Sequence, residues 1–534
     1  MACRVDAGWE PASLLSPGEQ QYVSERKKRA MDSLPKLAIS ANMEPASLLS
    51  PGEQQYVSER KKRVMDSLHK LAISANMDSV PHIALLGSGG GQRAAVALLG
   101  SLHQMGQDDL LDTLLYLGGV SGSGWAMSFL YTDPMWSDNM TAALARLTGS
   151  GPEPVDVLAW LVERSDDQLF SLSDLWGSIV SPTLFKQMDQ HRLSDEAKRH
   201  TTTNPYPVYN ALDQSCQLNG STKDKWFELT PHESGFTELN LFIPTSQLGS
   251  HTVEEGMQEA DTGFDMDMVS LKGVIGSAMA DKEAVLGYLP DWLRDSLKSN
   301  PFPSLELVNS QERETMFEEG IEKTLKKWTV TLEDGALKDL VSWVGFKLLP
   351  LIVRWEWGTT ENFLYQSKDG TVSDCLRSKE HIHLVDPGML LNSPYPPFLG
   401  PRRDVDLIIS LDFSLGESLK SLIRARDYAA EVHKPFPLVD DEVLEDDAWP
   451  KDFYVFPGEL SQPTIVYMPL FNQRNCRDAA EVTAKMAEYT TVHLPYNKEQ
   501  IAALLKIAMA NLKNNKHNLL IEIKKAAVRK NSRT

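Results

Sequence analysis

Cysteine is scarce in this sequence. The four present, Cys3, Cys216, Cys375 and Cys476, form no Cys-x-x-Cys pair and no Cys/His ligand spacing. That excludes a zinc-ribbon framework and a thioredoxin-type redox motif, and free thiols in a reducing compartment are expected. Long apolar runs are missing too: none reaches the roughly 18 residues that span a bilayer, and Met1–Glu10 has no apolar signal core. Alanine follows Met1, so N-myristoylation is not indicated. Positive charge is short, with 53 Lys and Arg against 73 Asp and Glu and a net charge of -20. A broad nucleic-acid surface is therefore not expected. The acidic run Val439–Trp449 lacks the D-x-D-x-D-G spacing of a calcium loop and reads as an exposed loop. The expectation is a soluble cytoplasmic protein with no metal and no cofactor.

What is present is core-forming material in an α/β texture. Of 534 residues, 42% are hydrophobic, enough for one large domain or two. Residues 10–43 recur as 44–77 with only Ala30/Val64 and Pro35/His69 changed. Two copies without a tetratricopeptide pattern indicate a tandem duplication rather than a solenoid. In the second copy Ser50-Pro51-Gly52-Glu53 reads as a capping box, with Val57, Val64, Leu68 and Leu71 recurring at helical spacing. The first copy carries Pro35 inside that pattern, so residues 1–43 are expected to be a mobile appendage and 44–79 a helix leading into the main domain. From about Val80, the runs "HIALLG", "LLYLGGV", "HIHLVDPG" and "DVDLIISLDFS" suit buried strands, and Gln92–Met105 is helical in pattern. The middle, about 133–354, reads as a cap inserted over the sheet. Within it, the apolar Leu340–Val353 suits a core helix or a lipid-facing surface. Lys506–Thr534 has eight Lys and Arg against one acid, Glu522. It is either a solvated terminal helix or a contact for an anionic lipid surface.

Two glycine-framed turns could carry chemistry. Gly119-Val120-Ser121-Gly122-Ser123 lies where a strand-like run meets a helix-like one. This is the context of a nucleophile elbow, where a crowded turn needs small neighbours and the helix dipole favours a developing anion. The reading competes with an ordinary turn, because Ser123 stands where G-x-S-x-G ends in glycine. The second turn, Gly87-Ser88-Gly89-Gly90-Gly91, opens a helix and could cradle an anion, either a phosphate or the oxyanion of ester cleavage. It fits neither GxGxxG nor GxxxxGK[ST]. Arg93 sets a fixed cation beside it. His381 and His383 lie in a strand-like run and suit sheet positions. Asp386 ends that run and could take a serine proton directly.

"GSGGGQRA", "GVSGSGWAMS", "WEWGTTENFLY" and "HLVDPG", in that order, make the chain resemble the group IV cytosolic phospholipases A2. "PYPVYNALD", "WFELTPHESGF", "DLIISLDFS" and "YMPLFN" extend the resemblance from about Ser50 to Phe471 and beyond. It is strongest to the gamma form, since no calcium-binding C2 domain precedes the glycine loop. The resemblance implies a patatin-related α/β fold over 80–534: a central mixed sheet flanked by helices, with the inserted cap and a basic C-terminal helix. It implies a Ser121–Asp386 dyad without histidine, an oxyanion hole at Gly90 and Gly91, and phosphate contacts from Arg93 and Arg403. Arg403 could equally be a surface charge at a strand entry. The implied activity is calcium-independent hydrolysis of the sn-2 ester of glycerophospholipids through an acyl-enzyme, with lysophospholipase and transacylase side activity. The implied partner is a phospholipid membrane surface, bound peripherally, with glycerophospholipids and lysophospholipids as substrates.

Three features depart from the family pattern. Gly124 stands where threonine is usual. Pro387 replaces a residue that offers a backbone N–H. The C-terminal "RKNSRT" has no cysteine for a prenyl group. The rival to an active enzyme is a lipid-binding pseudoenzyme, resting on Gly124 and Pro387. With neither a C2 domain nor a calcium loop in the pattern, EGTA should leave activity on liposomes unchanged. A large loss restored by added calcium would refute this.

Overall fold

The computed structural model describes residues 48–147, 149–199, 201–216, 222–250, 265–277, 347, 351, 355–416, 418–459, 461–491 and 495–533. The first repeat copy, and the apolar 340–353 stretch apart from residues 347 and 351, lie outside the described residues.

The chain folds around one mixed sheet of β1 (Ile83–Gly87), β2 (Tyr116–Gly119), β3 (Tyr206–Asp213), β4 (Trp226–Leu229), β5 (Glu233–Phe236), β6 (Leu241–Pro244), β7 (Thr359–Glu361), β8 (His381–Val385), β9 (Leu407–Asp412), β10 (Tyr454–Phe456) and β11 (Thr464–Pro469). Its main order is β10-β11-β9-β1-β2-β3-β4-β5-β6. The centre, β11-β9-β1-β2-β3, is parallel, and the pairs outside it are antiparallel. Every residue of β1, β2, β3 and β9 is buried. That is why these strands read as continuous apolar runs: helices cover both faces, so there is no solvent side to encode. Strands β3–β6 correct one expectation. They lie within 133–354, yet they continue the sheet instead of capping it.

One edge of β3 is shared by two strands. Tyr209 pairs with both Gly119 of β2 and Leu229 of β4, while Leu212 pairs with both Trp226 of β4 and Val385 of β8. Strands β2 and β8 therefore follow one another along the edge opposite β4. β2 runs parallel to β3 and β8 runs antiparallel, so their C-terminal ends point at each other. The gap between Tyr209 and Leu212 spans about 10 Å of strand. Residues 120–121 leave one end of it and Asp386 the other.

The helix Pro51–Lys70 begins where Ser50 Oγ accepts the Glu53 N–H (3.2 Å), with Pro51 in its first turn. Val57, Val64 and Leu68 are buried along it. Glu53 does not close a capping box; the Ser50 N–H goes to Glu233 Oε1 instead (3.3 Å). Glu53 turns inward to Arg403, which is a correction for that arginine. Arg403 is fully buried, with Nε and Nη2 on the two Glu53 oxygens (2.8 and 3.0 Å) and Nη1 on Glu228 Oε2 (2.6 Å) and the Pro397 carbonyl (3.1 Å). Burial opposes its charge, but Glu228 and Glu53 outweigh burial and hold the guanidinium above its ordinary range. Four of its N–H directions are committed inside the protein, leaving it no reach toward a headgroup.

The helix Lys498–Arg533 lies against the helix Gly91–Gln107. A Cβ on Gly100 would stand 2.9 Å from Leu505 O and 3.2 Å from Ala508 Cβ, so the crossing is close. The basic tail is thus a packed helix that pairs part of its charge with the body and leaves Lys513, Lys524 and Lys525 exposed. Lys530 pairs with Asp404 (2.7 Å) and Asp406 (3.2 Å), Arg533 with Asp406 (3.5 Å) and Lys516 with Asp108 (3.2 Å), while Arg529 donates to the Gly458 carbonyl (2.9 Å). The cysteine expectation is also corrected: Cys216 and Cys375 form a disulfide, while Cys476 is free and buried.

Replacing Arg403 with methionine leaves Glu53 buried without its paired cation and Glu228 with only the more distant Arg402 (3.8 Å). Removing one partner of a buried pair costs about 3–5 kcal/mol. Arg403→Met should lower the thermal midpoint, with the KM of the folded fraction unchanged. A raised KM at an unchanged midpoint would restore the headgroup role.

Candidate active site

Three loops converge at the C-terminal ends of adjacent strands. The loop after β2 carries Ser121, at φ +53° and ψ -122°, a left-handed conformation that non-glycine residues rarely adopt and that marks a functional turn. The helix Gly122–Leu130 follows it directly. Crowding explains the small residues around it. A Cβ on Gly122 would stand 1.8 Å from the Gly91 carbonyl oxygen, and one on Gly119 would stand 2.8 Å from Gly124 N. Ser123, the departure from G-x-S-x-G, has its own use: its Oγ donates to the Ser88 carbonyl (2.7 Å) and ties the elbow to the glycine loop.

The glycine loop follows β1. Gly90 (φ +153°) and Gly91 (φ +57°) occupy backbone conformations suited to glycine, and Gly91 opens the helix Gly91–Gln107. Among the described residues, neither amide has a protein acceptor. Arg93 is 1% exposed. Its Nε donates to the Phe413 carbonyl (2.7 Å) and its Nη1 to the Tyr489 carbonyl (2.6 Å) and Thr491 Oγ1 (3.3 Å). Nη2 stands beside Gly90, 2.6 Å from where a Cβ would be. Burial pushes the guanidinium down to about 10, against the fields of Tyr496 and Asp412. It remains a cation at neutral pH.

The third loop follows β8. Asp386 is buried, and its N–H donates to Ser277 Oγ (2.9 Å). The Pro387 departure is compensated here, because Asp386 Oδ1 accepts from the Gly388 N–H (2.8 Å). Gly124 also has a partner for its small size: a Cβ there would meet Ile275 Cδ1 at 2.7 Å.

Ser121, Asp386, Gly90 and Arg93 line one open cleft of about 160 Å³, together with Gly89, Gly388, Asn392, Leu415 and Thr491. None of these lining residues is histidine. His383 stays in the sheet, its N–H donating to Asp213 Oδ1 (3.2 Å) and Ser215 Oγ (2.9 Å), and His381 pairs with Glu361 (3.3 Å). Arg403 is not part of the cleft. Asn392 and Thr491 are, although no motif in the sequence singles them out. Beneath the glycine loop, burial pushes Asp412 up to about 6 in spite of its hydrogen bonds to Ser414 and other hydroxyls.

This chain is 32% identical over 498 residues to human cytosolic phospholipase A2 gamma, an alignment covering 84% of this chain and 90% of that protein. The chain belongs to the cytosolic phospholipase A2 family. The mouse gamma protein is 29% identical, covering 98% of this chain and 93% of that one. A family model described as the lysophospholipase catalytic domain matches residues 161–281. Among solved structures, human GIVD cytosolic phospholipase A2 superposes with a TM-score of 0.67 at 22% identity, over 90% of this chain and 67% of that one. At that identity the likeness speaks for the fold. A second structure of the same human protein, in complex with a methyl gamma-linolenyl fluorophosphonate inhibitor and terbium chloride, superposes with a TM-score of 0.61 at 21% identity, over 90% of this chain and 65% of that one.

In this family member the contact between Gly122 and the Gly91 carbonyl fixes how near the elbow approaches the glycine loop. Gly122→Ala should push the loops apart and lower kcat/KM at least a hundredfold. Gly370→Ala, where a Cβ meets nothing within 4 Å, should leave activity unchanged. Wild-type turnover in a folded Gly122→Ala variant would contradict the packing described.

Proposed function

We propose that the chain is a phospholipase A2 that cleaves the sn-2 ester of glycerophospholipids through a Ser121–Asp386 dyad, without calcium. The observation that carries the reading is the composition of the cleft: a serine at a positive-φ turn, a buried carboxylate, Gly90 of the glycine loop, an arginine, and no histidine among the lining residues. Asp386 takes the proton from Ser121 Oγ as the oxygen attacks the ester carbonyl carbon. The amides of Gly90 and Gly91 hold the oxyanion. The C–O bond to the glycerol breaks, and the leaving alkoxide takes the proton back from Asp386. Water then attacks the acyl-enzyme by the same path and releases the fatty acid. Another lipid alcohol in place of water gives transacylation, and a lysophospholipid in place of the diacyl substrate gives lysophospholipase activity. Arg93 supplies a fixed positive field near the phosphate. No helix among the described residues is long and apolar enough to cross a membrane, and in this reading the chain works as a peripheral protein on cytoplasmic membrane surfaces.

A fluorophosphonate probe should label Ser121, identified by mass spectrometry of the labelled peptide. Ser121→Ala and Asp386→Asn should each lower turnover by about 10⁴-fold or more, because the pair acts as one unit, while His383→Ala should keep most of the rate. A folded His383→Ala variant as inactive as Ser121→Ala would sink the dyad. A wild-type protein that resists the probe and releases no fatty acid from mixed liposomes would favour a lipid binder.

A further inference from the structure

The oxyanion reading requires the Gly90 N–H to point into the cleft, and glycine backbones do not hold such an orientation by themselves. The Gly89 carbonyl and the Gly90 N–H belong to one planar trans peptide, so they point in opposite directions. Whatever holds the carbonyl aims the N–H. Asn392 holds it, with a longer contact from Ser88 Oγ (3.4 Å) beside it: the Asn392 Nδ2 donates to the Gly89 carbonyl (3.3 Å), and its own backbone carbonyl accepts the Gly89 N–H (2.9 Å). The Asn392 amide is itself oriented, since Nδ2 also donates to Ser414 Oγ (2.6 Å), which donates to Asp412 Oδ1 (2.6 Å). A flipped amide would set Oδ1 against the Gly89 carbonyl. Space fixes it as well. Asn392 Oδ1 is 2.4 Å from where a Cβ on Gly89 would stand and 3.2 Å from one on Gly388. Asn392 lies six residues after Asp386, beyond the short 3-10 turn Pro387–Met389, where Leu390 and Leu391 both donate to the Pro387 carbonyl (3.0 and 2.9 Å).

Building on the dyad reading above, we propose that Asn392 is a positioning residue that locks the Gly89–Gly90 peptide with its N–H toward the oxyanion, so that one short loop sets both the base and the oxyanion hole. Asn392→Asp keeps the shape and replaces the donor with an oxygen. Losing one oxyanion donor costs roughly 10²–10³ in kcat; a peptide that is misaimed part of the time should cost roughly tenfold to a hundredfold. The readouts are kcat and KM on mixed liposomes, together with the rate constant of fluorophosphonate labelling per labelled serine. A purely structural role would shrink the labelled fraction and leave that constant alone. The expected result is a lower kcat, a proportionally lower labelling constant and an unchanged KM. Wild-type kcat and labelling, or a change confined to KM, would overturn the proposal. If Asn392→Asp does not fold, Ser414→Ala keeps Asn392 but removes its second anchor and should lower kcat severalfold; wild-type kcat there would likewise overturn it. Failure of the wild-type protein to label at Ser121 would count against the dyad, and this proposal would fall with it. Labelling in the wild type with no defect in either variant would count against Asn392 alone.

Discussion

The site depends on how β3 is paired. A strand edge normally takes one neighbour along its length; here it takes two, β2 and β8, head to head. Strand pairing is a register of fixed spacing, so the distance between the two C-terminal ends is set by the main-chain hydrogen bonds of a fully buried strand. Asn210 sits in the interval, its Nδ2 donating to the Gly119 carbonyl (3.1 Å) while its Oδ1 accepts from Trp226 Nε1 (3.1 Å). Ser121 and Asp386 thus descend from the ends of strands whose relative position is hard to change without unzipping the sheet.

The parallel order β9-β1-β2 supplies the remaining parts by the general logic of such sheets, whose carboxyl ends gather loops into a crevice. The loops after β1 and β9 interlock: the Phe413 N–H donates to Ser88 Oγ (2.7 Å), Ser88 N–H to the Leu411 carbonyl (3.1 Å), and Arg93 to the Phe413 carbonyl. Arg93 is therefore a pin as well as a charge. Its Nε and Nη1 satisfy buried carbonyls that would otherwise be costly, which leaves Nη2 nearest the cleft.

Much of this was legible in the sequence, and the boundary is physical. Ser121, Gly122 and Gly90 were readable because a sharp turn imposes its demand on residues next to each other in the chain. The runs that became β1, β2, β8 and β9 were readable because burial makes them apolar over several consecutive positions. Strands β5 and β6 were not: four residues each, one spelling Glu-Ser-Gly-Phe, they have no period long enough to show. The same limit explains Arg403, whose carboxylate partner Glu53 lies 350 residues away. A buried cation and an exposed one look alike until the partner is known. Cys216 and Cys375 were likewise separated by 159 residues, too far for spacing to suggest a bond. Asn392 carries no pattern because its partners are the Gly89 backbone, which any sequence offers, and a serine hydroxyl from a different loop, at Ser414.

The close crossing at Gly100 carries a consequence for how the protein is made. The helix that begins with the glycine loop leaves the ribosome long before the helix lying against it, Lys498–Arg533. Until the later helix is made, the face of the earlier helix around Gly100, where Leu505 and Ala508 come to lie, lacks that cover. A ribosome that stalls between the two helices would therefore hold a chain whose earlier helix still has one face uncovered, the kind of partly folded species that is prone to aggregate.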